Sequence, residues 1–511
     1  MTDDRRHGRR AKSARGGGGI AQLPWMRVQN RIPPIRIASD DEIEKIHQTA
    51  LRILKDLGIR VVGDKVLDLF ERAGAIVDRS DGIVRIGEDV IVAALATTPQ
   101  TFTLTSRNPA KRLHFGGNDL VFGLVAGPPN VHDRVHGRRS GNMADYENFI
   151  RLAHHFNAIH MIGNQVAAPQ ELPANNRHLD CYRANLTLSD LTYHCTAIGR
   201  GRAMDGIRMM AIARGITLEE MAKDPGVTTI VSVNSPRLFD KEMGEGLIAM
   251  AEHGQPVTIT PFTLMGAMTP VTLAAALAQQ NAEALFGITL TQLVKPGAPV
   301  MYGAFTSNVD MRSGAPAFGT PENVKANLIA GQLARRYRLP YRTSNTNASN
   351  AVDLQAAYET VNATWGAVMG GGNLIYHAAG WLEGGLTASY EKLILDVEIL
   401  QNMIEILKPI DFSEDALGFD AIASVPTGGH FFGAAHTMSR YETAFYKPLL
   451  SDWTNYGGWQ AAGAKEAVER ATELWLRALA EYEEPVMDEA RREELDAYVA
   501  KRKEEIGKGE P

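Results

Sequence analysis

The sequence predicts an α/β chain, a (β/α)8 TIM barrel with helical additions at both ends. Three observations carry this expectation. From residue 118 onward a short run rich in Val, Ile, Thr and Tyr, a polar loop and a helix-like run recur eight times. Whole helices separate the strand-like runs, so neighbouring strands pair in parallel through helical crossovers. The turn after the first run, GLVAGPPN, is not GxGxxG, which disfavours an open dinucleotide-type sheet. Eight units of this kind close on themselves.

The first 35 residues precede that rhythm. RRHGRRAKSARGGGG is basic and glycine-rich, and no apolar stretch follows it. It reads as a disordered tail rather than a targeting segment. Residues 36–117 read as a helical cap. SDDEIEKIHQTALRILKDLGIRV opens with capping and acidic residues, sets Ile43, Ile46, Ala50, Ile53 and Leu54 at helical spacing, and stops at Gly58. Two shorter helices are expected over 65–73 and 87–96. The barrel is expected over 118–410. Its strands lie in DLVFGL, AIHMIGNQ, LTYHCTAI, TTIVSVNS, PVTITPF, PVMYGAF, PYRTSN and NLIYHAAG. Its helices are expected over 143–156, 176–188, 202–214, 241–253, 272–293, 321–336, 351–369 and 388–406. Residues 411–511 read as a helical extension. Its aromatic-rich segment, GGHFFGAAHTMSRYETAFYKPLLSDW, precedes amphipathic helices over 466–482 and 487–503.

Composition narrows the function classes. A 511-residue chain with 44% hydrophobic residues buries a substantial core. A net charge of −6 gives no whole-chain attraction to nucleic acid or an anionic membrane. No run of about 18 apolar residues occurs, so no transmembrane helix is expected. Two cysteines, Cys181 and Cys195, give no disulfide framework, which fits a reducing cytoplasm.

In such a barrel the polar ends of the strands converge on one rim. That rim gathers Gln165; His194 and Cys195; Asn234 and Ser235; Thr260 and Phe262; Ser307 and Asp310; Asn345 and Asn347; and His377, Trp381 and Glu383. It lacks the paired carboxylates of a glycosidase and the strand lysine of a Schiff-base aldolase. Neutral hydrogen-bonding groups suit holding a polar ligand more than acid–base work. Arg342 fits a ligand carboxylate, and equally a pairing with Asp310 or Asp353. Tyr376 and Trp381 fit an aromatic box for a quaternary ammonium, and equally plain packing. Ser307 and Asp310 lie in a loop that Asx turns alone would explain. His430 and His436 belong either to the site or to packing of the C-terminal segment.

Three stretches then carry a resemblance. PVMYGAFTSNVDMRSGAPAFGTPE, PYRTSNTNASNAVDLQAAYET with its return through LIYHAAGWLEGG, and GGHFFGAAHT followed by FYKPLLSDW together resemble the trimethylamine methyltransferase family. The likeness runs over roughly residues 36–485. It implies a (β/α)8 barrel that passes a methyl group from an amine to the Co(I) of cobalamin, carried by a separate corrinoid partner protein. It also implies a homo-oligomer. The trimethylamine enzymes proper use pyrrolysine near the end of the seventh strand, whereas residues 343–350 here are all ordinary. The chain therefore resembles the non-pyrrolysine branch, some members of which demethylate glycine betaine. By position, Arg342, Asn347 and His377 then lie near the substrate. The full expected substrate-binding set is Arg342, Asn345, Asn347, His377, Tyr376, Trp381, Glu383, Asp310, Ser307 and Gln165, with no side-chain nucleophile and no metal. Two other readings stand beside this one: a betaine-binding or sensing barrel without turnover, and a zinc methyltransferase using His194, Cys195 or Cys181.

Overall fold

Each strand-like run pairs in parallel with the next, and the last pairs with the first. The computed structural model describes residues 19–509. The barrel strands are β1 (Asp119–Leu124), β2 (Met161–Ile162), β3 (Thr192–His194), β4 (Val227–Val231), β5 (Val257–Ile259), β6 (Val300–Gly303), β7 (Tyr341–Ser344) and β8 (Leu374–Ala379). Closure is explicit: Leu374 pairs with Val121 and Ile375 with Phe122, in parallel. The predicted (β/α)8 barrel is therefore the observed fold.

The principal crossover helices are α1 (Met143–His155), α2 (Arg177–Leu188), α3 (Arg200–Arg214), α4 (Lys241–Glu252), α5 (Leu273–Val294), α6 (Pro321–Arg336), α7 (Leu354–Met369) and α8 (Tyr390–Ile406). Local sequence starts several of them. The Asn142, Thr320, Asp353 and Ser389 side chains each accept a first-turn backbone N–H. Such caps satisfy donors that have no partner inside the helix. α5 is buried over most of its length, because the N-terminal cap covers its outer face. There Phe70 stacks on Phe286 with centroids 4.8 Å apart.

The additions depart from expectation in two places. The cap is not purely helical: Ile59–Val61, Ile76–Asp78 and Ile83–Arg85 form a small antiparallel sheet, joined by Leu238–Phe239 from the barrel. β-branched residues in short alternating runs favour that outcome over helix. The expected tail also begins to pack earlier than residue 36. Val28–Gln29 pairs antiparallel with β1, and the Asn30 amide donates to the Val368 carbonyl at 2.9 Å. The rest of the tail, residues 1–18, lies outside the described residues. At the other end, Ala467–Ala480 packs along α8, and Glu489–Gly507 packs on α2 and α3.

The lower barrel is filled. Val121, Met161, Met301 and Leu374 cluster with Leu104, Leu113 and Phe115 from a hairpin (Phe102–Leu104 with Leu113–Phe115). A cavity remains above them, toward the C-terminal ends of the strands. Among the described residues, no helix is long and apolar enough to cross a membrane.

Three buried histidines give an acid sensitivity. Burial, the largest cause for each, lowers His47 and His160 to about 4 and His194 to about 3. Their folded values lie below the unfolded value of about 6.5, so stability is full above that pH and is lost as pH falls through the window beneath it. Each contributes at most about 1.4 kcal/mol per pH unit there. Denaturant unfolding should show the midpoint dropping between pH 7 and pH 5, above the usual carboxylate range. His160→Gln should flatten the drop.

Candidate functional site

A cavity of about 390 Å³ opens at the C-terminal end of the barrel. Its size is that of a small-molecule site. Three devices in the sequence build its wall.

The first is a bulge in β8. Register with β1 shifts between Ile375 and Ala379, and His377 takes a left-handed backbone with φ of 56°. A regular strand would turn Tyr376 and His377 to opposite faces. The bulge brings both to the cavity, with ring centroids 4.7 Å apart. Asn345 holds it: its backbone N–H donates to the Tyr376 carbonyl at 2.9 Å and its side-chain amide to the Ala378 carbonyl at 3.1 Å, while its side-chain oxygen is buried without a partner. A left-handed conformation in a non-glycine residue costs of order 1–3 kcal/mol and persists where its surroundings impose it.

The second device is a clamp on Trp381. Its indole N–H donates to the Asn347 carbonyl at 3.1 Å, and the Asn347 side-chain amide donates to the Trp381 carbonyl at 2.9 Å. The backbone N–H of Gly380, one residue earlier, donates to Asp396 on α8 at 2.8 Å. Trp381 is thereby set against His377, centroids 4.3 Å apart.

The third device is a second sheet above the barrel. Past β5 and β6 the chain breaks and resumes as Phe262–Met265 and Phe305–Val309, which pair in parallel, with Pro316–Ala317 on the edge. Gly303 permits the break, since a Cβ there would lie 2.0 Å from the Thr260 hydroxyl. Phe262 and Phe305 meet edge to face at 4.9 Å. Phe305 also lies 5.6 Å from His377 and 6.1 Å from Trp381. The result is a continuous aromatic wall.

Arg342 on β7 forms the charged part of the cavity. Its guanidinium carbon lies 5.3 Å from the Phe305 centroid and 5.2 Å from that of Tyr376. The residue is only 1% exposed. Its Nε and Nη1 have no hydrogen-bond partner, and neither Asp310 nor Asp353 pairs with it. Burial lowers its pKa to about 10, so it remains a cation at neutral pH. A buried charge with free donors is costly, and Arg presents those donors in a fork that matches a carboxylate.

The other titratable groups are neutral. His194 Nε2 accepts the Ile230 backbone N–H at 2.9 Å, which puts the ring proton on Nδ1, facing the Tyr376 hydroxyl. That hydroxyl also accepts the Asn164 backbone N–H at 2.9 Å. With two bonds accepted, the Tyr376 proton is left to donate into the cavity. Burial, followed by the Arg342 charge, holds His377 well below its ordinary pKa. Burial pushes the Tyr376 phenol up. The site thus carries one fixed positive charge and no base poised near neutrality.

Of the expected substrate-binding residues, Arg342, Tyr376, His377 and Trp381 converge on the cavity. Asn345 and Asn347 support that wall from behind. Four others are engaged elsewhere. The Ser307 hydroxyl donates to the Ala317 carbonyl within the second sheet. Asp310 is exposed and accepts from Ser313 at 2.6 Å. Glu383 accepts from Arg138 at 2.9 Å. Gln165, at φ 43°, accepts the Gly127 N–H on its carbonyl. His430 and His436 do not line the cavity. His194 does, but Cys195 turns the other way, its thiol 3.7 Å from the Met250 sulfur. Cys181 sits on α2. Burial pushes both thiols up to about 12. His194 and Cys195 therefore cannot converge on one ion. Phe305 and Asn164 were not among the expected residues. Phe305 ends the sixth strand-like run, and only the break after Gly303 turns it inward.

Comparison with known proteins agrees with this architecture. The trimethylamine methyltransferase (MTTB) family profile matches residues 5–507. The glycine betaine methyltransferase of Desulfitobacterium hafniense (strain Y51) is 35% identical over 477 residues, 93% of this chain and 99% of that one. The trimethylamine methyltransferase MttB of Desulfitobacterium hafniense (strain DSM 10664 / DCB-2) is 28% identical over 472 residues, 92% and 94% of the two chains. The proline betaine:corrinoid methyltransferase of Eubacterium limosum is 28% identical over 425 residues, 80% and 85% of the two chains. A barrel closed by eight parallel strands and a match over nearly its whole length place the chain in the trimethylamine methyltransferase (MTTB) family, a family of amine methyltransferases.

Proposed function

We propose that this chain transfers a methyl group from a carboxylate-bearing quaternary amine, of the glycine betaine type, to the Co(I) of a corrinoid held by a partner protein. The observation that carries the substrate class is Arg342, a buried cation with free donors beside an aromatic wall. A trimethylammonium group donates no hydrogen bond and is held by π faces, here Phe305, Trp381 and the neutral His377. Its carboxylate completes Arg342 and accepts the Tyr376 proton. A bare trimethylated amine would leave the guanidinium unpaired. Two of the relatives carry betaine in their names, in keeping with this assignment.

The chain's part in catalysis is to bind, orient and exclude water. A quaternary amine departs as a neutral tertiary amine, so no side chain needs to supply a proton, and the neutral site fits that economy. Arg342 fixes one end of the substrate, which aims a methyl of the other end toward the mouth. The cavity lining includes the small residues Ala126, Gly127, Ala197, Gly384 and Gly385 together with the exposed Ile198 and Leu386. The reduced corrinoid supplies the nucleophile when its carrier is docked. Buried, unpaired thiols and reduced-cobalt chemistry both suit a cytoplasmic setting.

The test is an absorbance assay with Co(I) cobalamin and a substrate panel. Glycine betaine should give methylcobalamin and dimethylglycine, and choline and trimethylamine far less. No methylcobalamin with any betaine sinks the proposal. Betaine binding by calorimetry without turnover would favour the sensing reading instead.

A further inference from the structure

Residues 411–445 stand apart from the rest of the molecule. Every hydrogen bond they make among the described residues stays within the segment, as in Arg440 to Asp415 and His436 to the Asp415 carbonyl. The chain returns to the body only at Tyr446, Leu449 and Leu450, which bond to Glu398 on α8. Yet this projection is apolar. Phe412 is 72% exposed, Phe419 75%, Phe432 83% and Phe445 78%, and Trp453 and Tyr456 beyond it are 67% and 72% exposed.

A second uncovered apolar surface lies on the barrel wall. On α7, Leu354, Tyr358, Val361 and Trp365 follow at spacings of four, three and four, one face of a helix. Each is exposed, Leu354 at 82%. An outer barrel helix normally shows water a polar face, so this stripe is as anomalous as the projection.

We propose that residues 411–456 form an arm that clasps a second copy of this chain, its aromatic side chains seated on the partner's α7 stripe. The same chain supplies both halves of the contact, so a two-fold exchange covers both surfaces in both copies. The area suffices. Aromatic side chains bury about 150–250 Å² each, so the arm offers on the order of 1,000 Å², above the roughly 800 Å² per partner of a stable interface. The arm's own hydrogen bonds keep it folded while it projects. The proposal is independent of the substrate assignment.

Sedimentation velocity on the full chain tests it, with Phe432→Asp/Phe445→Asp for the arm and Tyr358→Asp/Trp365→Asp for the stripe. All four positions are exposed, and circular dichroism checks the fold; Phe432→Ser and Tyr358→Ser serve as milder versions. The wild-type chain should sediment at micromolar concentration as a dimer or a higher even assembly. Both double variants should shift at least tenfold toward the single chain. A single-chain wild type overturns the proposal. Dissociation by the arm variant but not the stripe variant overturns the seat on α7. An assembly that survives both variants overturns the arm.

Discussion

Arg342→Met should sharply reduce turnover of a carboxylate-bearing amine and leave the fold intact. The buried guanidinium has two free donor groups and sits 1% exposed. A desolvated charge-assisted pair at such a site is worth roughly 2–5 kcal/mol when one partner is removed. That corresponds to a loss of about 30- to 4,000-fold in kcat/KM, at about 1.4 kcal/mol per decade. Arg342→Lys keeps the charge but not the fork, and should recover only part of the activity. The stability change should run the other way. Methionine removes an unpaired buried cation and keeps the stem's packing, so the melting temperature should hold or rise, as expected where a site is costly to the fold. Steady-state kinetics with betaine and choline, alongside calorimetry, decide the matter. An equal loss for both amines would mean that Arg342 positions the wall and does not hold the carboxylate.

Lys392→Met should be the most damaging change for stability. Lys392 and Asp396 are fully buried on one face of α8, and the ammonium donates to Asp396 and, at 2.8 Å, to Thr360. Burial pulls the lysine pKa down and the aspartate pKa up, while each partner opposes that shift in the other. Removing the lysine leaves a buried carboxylate without its counter-ion, a loss of about 3–5 kcal/mol. Lys392→Met/Asp396→Asn should restore most of it. The pair also matters to the site, because Asp396 accepts the Gly380 N–H between His377 and Trp381. Chemical denaturation of both variants, read with betaine affinity, checks the two effects together. A single variant as stable as the wild type would refute the assignment.

The barrel was legible because strand-like and helix-like runs alternate eight times and the helices carry their own caps. The cap sheet was not. IRV, IVD and IVR are each three residues long, too short for a periodicity to show, and their fourth strand comes from residues 238–239. At the site, Arg342, Tyr376, His377 and Trp381 could be read as strand-end residues. Asp310 and Glu383 carried the same signal and satisfy local partners, Ser313 and Arg138. Sequence places a polar residue near the rim but does not say whether a neighbour has already claimed it. Phe305 was hidden for another reason. Its direction depends on a break in alternation whose only trace is Gly303, packed against Thr260.

The filled lower barrel has a kinetic meaning. Val121, Met161, Met301 and Leu374 close the floor, and the cavity opens at the C-terminal end of the strands. Under the proposed function, a bound amine would lie beneath the place where its methyl acceptor docks, and the acceptor would serve as the lid. That function predicts compulsory order, amine first, with the demethylated amine held until the carrier withdraws. Turnover would be paced by the coming and going of a protein rather than by the diffusion of a small molecule.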